Sequence, residues 1–280
     1  MNPAPRIALV VVILAAVAGG GVFLWRRQHA VAPVAAVPPP PPPVAAVAPP
    51  PAPPAPPVAP AIRHPLTTGP HDGLPALDEA DGYIKNAIAQ LLGHKSLLSS
   101  LIFDGFARRF VATVNNLGTD SAASQMWPVT RTEGRFAVDL DADKGTISAA
   151  NAARYTPFVT LVDGVSTSGA VALYLRLYPL FQKAYEELGT QGHYFNDRVI
   201  EVIDNLLATP DVGGPIKVKL VQVDGAAPPP GGARLYVFDD PALESATAGQ
   251  KILLRMGADN ARKLKAKLAD VRKRLVEAPR

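Results

Sequence analysis

Three carboxylates, Asp197, Glu201 and Asp204, recur at intervals of four and three, with His193 and Tyr194 just upstream. On a helix these intervals put all three acids on one face, where they could hold a cation or divide acid and base roles between them. The apolar residues of the same stretch, Val199, Val202, Ile203, Leu206 and Leu207, share the opposite face. The acidic face is therefore read as the one left to water, with ligand or partner binding as its functional alternative. Asp197, in the first turn, would also complement the positive end of the helix dipole.

A second acidic series, Asp139, Asp141 and Asp143 before Gly145, alternates as hard oxygen ligands for calcium would. An EF-hand needs glycine at its sixth position and glutamate at its twelfth, where this chain has Lys144 and Ala150. The series is read as an acidic turn after a short strand, and no metal ligand or cofactor is assigned. The strongest electrostatic feature is carboxy-terminal: Arg262, Lys263, Lys265, Lys267, Arg272, Lys273 and Arg274 surround a narrow line of Leu264, Leu268, Val271 and Leu275. Residues 262–280 carry eight basic and two acidic side chains, whereas residues 64–261 carry 16 basic and 22 acidic ones. The tail can be drawn onto the acidic body, or it can present itself to anionic lipid, nucleic acid or cell-wall polymer.

Several chemistries are excluded by what is missing. The chain has no cysteine, so disulfides, thiolate metal sites, iron-sulfur clusters and cysteine nucleophiles are ruled out. His29, His64 and His71 fall in or beside a linker, leaving His94 and His193 to the folded part. HExxH, GxSxG, SxxK, GxGxxG and the P-loop are all absent. No catalytic residue is assigned; carboxylate-based glycosidases have no short signature, so an enzyme acting on cell-wall or periplasmic polymer stays open as an alternative.

These groups are carried by three joined polymers. Ile7 to Trp25 is 19 residues without a charge, about 28 Å as a helix, enough to cross the hydrocarbon of a bilayer. Trp25, Arg26 and Arg27 form the aromatic and basic flank of such a span. The alternative is a signal peptide cleaved after Ala18, following Ala16-Val17. From Ala32 to Pro60, 15 of 29 residues are proline, which removes the amide donors that helices and ladders need. That segment is expected to be a disordered, polyproline-like spacer of about 100 Å. The organisation expected is an anchor over 1–27, a linker over 28–73 and one compact domain over 74–280. Arg6 and the terminal amine balance Arg26 and Arg27, but a short head before a large domain favours a signal anchor, with the domain on the periplasmic side of a bacterial inner membrane. The partners expected are the bilayer, through Ile7 to Trp25, and an envelope protein or anionic polymer; nucleic acid is not expected unless the domain faces the cytoplasm.

Within the domain, apolar periodicity predicts a helix capped by Asp78 and ended by Gly93, and a second one bearing Phe103, Phe106, Phe110, Val114 and Leu117. A further helix is expected within Ser148 to Val162, and a long one over Ser168 to Leu188. The long helix has a seam of Val171, Tyr174, Tyr178, Phe181, Tyr185 and Leu188, interrupted at Pro179. The seam reads as core, with an aromatic cleft for sugars or peptides as its alternative. Another helix opens at Asn196 or Asp197 and closes at Pro210. Two finish the chain, one ending at Met256 and one over Ala258 to Val276. The stretch from Gly118 to Lys144, with Trp127-Pro128, is the least regular, and holds a short strand over Arg135 to Leu140. Lys217 to Val223 and Arg234 to Phe238 form a β-hairpin around a long disordered tip. The fold class is mainly α with a minor β-hairpin, α+β.

The segments LPALDEADGYIKNAIAQLLG, RRFVATVNNL, NAARYTPFV, LYPLFQKAYEELG, FNDRVIEVIDNLLATP and YVFDDPALESATAGQKILLRMG resemble the bacterial family domain of unknown function 3014. The resemblance covers Leu74 to Leu275 and implies a single-span protein with a proline-rich linker and a helical domain. It implies no activity, cofactor or site. The DGAAPPPGGA loop looks like an insertion relative to that family.

Overall fold

A computed structural model describes residues 61–66, 73–92, 98–132, 134–141, 144–221 and 236–278. The expected span over Ile7 to Trp25, the spacer, the helix end at Gly93 and the hairpin tip lie outside the described residues. The helices are α1 (Ala80–Leu92), α2 (Phe106–Leu117), α3 (Ala149–Ala153), α4 (Thr156–Gly164), α5 (Thr167–Glu186), α6 (Phe195–Leu207), α7 (Pro241–Glu244), α8 (Ala248–Arg255) and α9 (Ala258–Val276). Among the described residues no single helix is long and apolar enough to cross a membrane. The stretch from α3 through α5 is apolar enough as a pair bent by 81°, and its side chains supply the core.

The central helix is α5. Tyr174, Leu177 and Phe181 are fully buried on it, against Phe110 of α2 and Phe195 of α6. The helix runs unbroken through Pro179, although the ring removes one amide donor. It stops at Glu186, where Gly189 turns the chain at a φ of 86°. Leu188, expected to extend the seam, is consequently outside the helix and 46% exposed. Phe103 lies before α2 and still stacks on Phe106, 5.6 Å between ring centroids.

The expected hairpin is half of a larger sheet. Strands β1 (Val138–Asp141), β2 (Lys144–Ile147), β3 (Lys217–Leu220) and β4 (Tyr236–Phe238) pair antiparallel in the order β1-β2-β3-β4. The residues read as an acidic turn supply the first hairpin, with Leu140 opposite Gly145. Alternation decides which face is covered: Val218 is buried, while its neighbours Lys217 and Lys219 are exposed. Val218 and Phe238 pack on Leu254 of α8, giving the sheet a small core of its own.

Helix α8 ties the two cores together. Thr247 and Gln250 form a capping box at its start, and Gln250 Nε2 donates to Asn205 O of α6 at 2.9 Å. Gly249 permits the close approach, since a Cβ there would lie 2.5 Å from Leu206 Cδ2 and 3.0 Å from Leu117 O. Gly257, at a φ of 85°, then redirects the chain into α9.

Candidate functional site

His193, Tyr194, Asp197 and Glu201 line one shallow cavity of about 110 Å³, together with Arg63 and Arg198. The polar side chains of Tyr194, Asp197 and Glu201 are engaged within the protein, while His193 is exposed. Asp197 accepts the amide protons of Arg63 at 2.9 Å and His64 at 2.7 Å, through separate oxygens. Glu201 pairs with Arg198 at 2.6 Å. Asp204 lies outside the cavity, held by the guanidinium of Arg272 on α9. The three carboxylates share a helical face but serve three different partners, so no acid-base pair assembles there.

Around Asp197 the polar atoms form a clamp. Tyr194 Oη accepts from the Leu66 amide at 2.8 Å, and Asn196 Nδ2 donates to His64 O at 2.9 Å. Tyr174 donates to Asn196 Oδ1 at 3.2 Å, and Tyr178 donates to Gln182 Oε1 at 2.8 Å. Gln182 Oε1 also accepts the Phe195 amide at 2.8 Å, and its Nε2 donates to His193 O at 2.9 Å. Burial pushes the phenols of Tyr174 and Tyr178 well above their usual range, reinforced by the neighbouring phenols. Residues 63–66, which sequence reading gives to the linker, are thus hydrogen-bonded to the domain, and Leu66 joins its core.

The basic tail forms α9, and most of its cations are engaged. Lys265 donates to Thr209 O at 2.8 Å, just beyond α6, and approaches Asp211 at 3.1 Å. Lys267 donates to Asp163 O and Val165 O at 2.8 and 2.9 Å, capping the carboxyl end of α4. Arg262 pairs with Asp259 and Arg274 with Asp270 along the helix itself. Lys263 and Lys273 make no such contact among the described residues. Asp139 and Asp141 are exposed on β1, and Asp143 lies outside the described residues. Among the described residues no three His, Asp or Glu side chains gather as a metal cluster.

Sequence reasoning missed a larger site. A cleft of about 410 Å³ lies between α8, β4 and the loop after α2. Helix α8 contributes Ala248, Lys251, Ile252 and Arg255, spaced i, i+3, i+4 and i+7 and therefore on one face. Trp127 contributes an indole that is 1% exposed. Its Nε1 is a buried donor without an acceptor, the one such side-chain atom among the described residues. Lys251 is held by Glu244 at 2.9 Å, and the other oxygen of Glu244 accepts the Phe238 amide at 2.8 Å. Among the described residues the Arg255 side chain has only Tyr236 O as an acceptor, at 3.5 Å, and it lies 4.9 Å from the centroid of the Phe238 ring. Desolvation pushes its guanidinium below the usual arginine range, partly offset by Glu244. The available signal was two basic residues on a helix whose other positions are nearly all apolar, together with a tryptophan in an irregular stretch.

The fold and its cleft define a mainly helical α+β domain with a small one-sided antiparallel sheet. Residues 106–272 match the family model described as Protein of unknown function (DUF3014), and the chain belongs to that family. No curated protein and no solved structure matches it.

Proposed function

We propose that this protein is a membrane-tethered binding module of the bacterial envelope, with the Trp127–Arg255 cleft as its binding site. Ile7 to Trp25 is the anchor, the proline-rich segment is the standoff, and the domain is held on the periplasmic side. The observation that carries binding is the cleft: it combines largely apolar walls with a partly buried guanidinium that the described residues leave undersupplied with acceptors. The clamp supports the standoff, because it fixes residues 63–66, where the spacer reaches the domain, to the start of α6. The placement of the carboxylates supports binding over polymer hydrolysis, since Asp197 and Glu201 are occupied by amides and by Arg198. The engaged tail likewise gives nucleic acid little to grip.

Alkaline carbonate extraction and a reporter fused after Arg280 test the tether. Retention in the pellet with an extracytoplasmic signal is expected; extraction of the intact chain, or a cytoplasmic signal, would reject it. Ala246→Leu, which narrows the cleft, tests binding: loss of cellular function at normal protein level is expected, and full function would remove the cleft from the proposal.

A further inference from the structure

The cleft is specific enough to name a ligand class, an inference that rests on reading it as the binding site. Arg255 presents a planar fork of five donors, and among the described residues no carboxylate lies within salt-bridge distance of it. A guanidinium partly withdrawn from water without an anion is partly desolvated, and one carbonyl at 3.5 Å with one aromatic face compensates only part of that. The indole of Trp127 lines the same cleft, although its Nε1–H is itself sealed from solvent. The Arg255 fork needs an acceptor, and of the two carboxylates that line the cleft among the described residues, Asp120 is on the rim and Glu244 is committed to Lys251 and the Phe238 amide.

Charge balance narrows the ligand further. Lys251 and Glu244 neutralise one another, and Asp120 sits exposed on the rim, so a single negative charge is matched and a doubly charged phosphate is not. The remaining walls are mostly apolar, among them Ala122, Val237, Ala246 and Ile252, with Ser121 and Ser245 adding neutral hydroxyls. We infer that the cleft binds an organic monocarboxylate with an apolar body, its carboxylate held by the Arg255 fork and its body against the apolar wall that includes the Trp127 ring. A free carboxylic acid and the carboxyl end of an apolar peptide share this chemistry.

The test uses the full chain in nonionic detergent. The chain has two tryptophans, so a Trp25→Phe background leaves Trp127 as the sole indole reporter. Phenylacetate and an N-acetylated apolar tripeptide are titrated against phenylacetamide, phenyl phosphate and the amidated tripeptide. A saturable change in Trp127 fluorescence is expected with at least one free carboxylate, about tenfold or more weaker with its uncharged counterpart and with phenyl phosphate. Response to phenylacetate identifies a small acid as sufficient; response to the tripeptide alone identifies a peptide terminus. Arg255→Met should weaken binding about tenfold or more and, because it removes a partly desolvated charge without an anion, raise the melting temperature of the unliganded chain by about 2 °C. A merely structural arginine would lower it. Ala246→Leu, which leaves the Arg255 fork in place, should block binding without that rise. Failure of both free carboxylates, equal binding of the uncharged probes, or unchanged binding to Arg255→Met would each overturn the ligand class. The cellular effect of Ala246→Leu would still report on whether the cleft binds anything, and carbonate extraction on the tether.

Discussion

Two polar clusters are buried in this domain, and they are wired oppositely. In the clamp at the start of α6, Tyr174, Tyr178, Gln182 and Asn196 each meet a partner of the right polarity, and the Asp197 carboxylate is filled by two amides. Beside α8, among the described residues, the Trp127 indole donor has no acceptor and the Arg255 guanidinium has one distant carbonyl. A satisfied network specifies one packing arrangement and adds to stability; an unsatisfied one lowers it and persists where it serves another end. The clamp therefore has the wiring of structure and the cleft is the site proposed for binding, although of the two it is the clamp that holds Asp197, conspicuous in the sequence.

The contrast is broken most severely by alkali. Tyr174 and Tyr178 have values raised above the unfolded phenol at about pH 10, so their contribution is complete below that pH and is lost as pH rises through the raised values. Phenolate absorbance from these two rings should appear only together with loss of helical circular dichroism; ionisation within an intact fold would show that the clamp is open to water.

Next in size is Asn196→Ala, which strands Tyr174 Oη and His64 O. A loss of about 2–4 kcal/mol is expected from the urea midpoint at unchanged slope, opposite in sign to the effect of Arg255→Met. A neutral result would mean that the clamp is loose. Gly249→Ala should cost about 1–2 kcal/mol through its clash with Leu206 and Leu117, where helix propensity alone predicts a gain of about 1 kcal/mol. Calorimetric melting decides the sign.

The smallest effect belongs to the surface. Arg108 donates to Glu187 at 2.6 Å, and this hydrogen bond holds the Glu187 carboxyl below its ordinary value of 4.5. Its contribution is present above that pH and lost as pH falls through the depressed value. Both side chains are about two-fifths exposed, which limits the effect to a few tenths of a kcal/mol. Arg108→Met should flatten the acid limb of the stability curve slightly, and salt should do the same to the unchanged protein.

Helices were the most legible part of the chain, because an apolar residue every third or fourth position leaves only one way to bury a stripe. The seam of α5, the caps around Met256 and Gly257, and the extent of α9 follow from local spacing. The sheet was half legible: β3 and β4 carry branched and aromatic residues, whereas Lys144 to Ile147 becomes a strand only because β1 and β3 lie on either side of it. Sequence order also hid the partners of the acidic face. Asp197 meets residues 133 and 134 positions away and Asp204 one 68 away, partners that no local pattern brings there, while Glu201 and Asp204 stay exposed on the face read as left to water.

Spacing along the chain, then, determined which residues form helices, which stretch is apolar enough for an anchor, and which chemistries lack the atoms they need. Whether a charged or polar side chain is satisfied was decided by tertiary structure alone. That property depends on which acceptors lie within about 3 Å in space, and for Trp127, Arg255 and Asp197 those neighbours come from segments distant in sequence or are missing among the described residues.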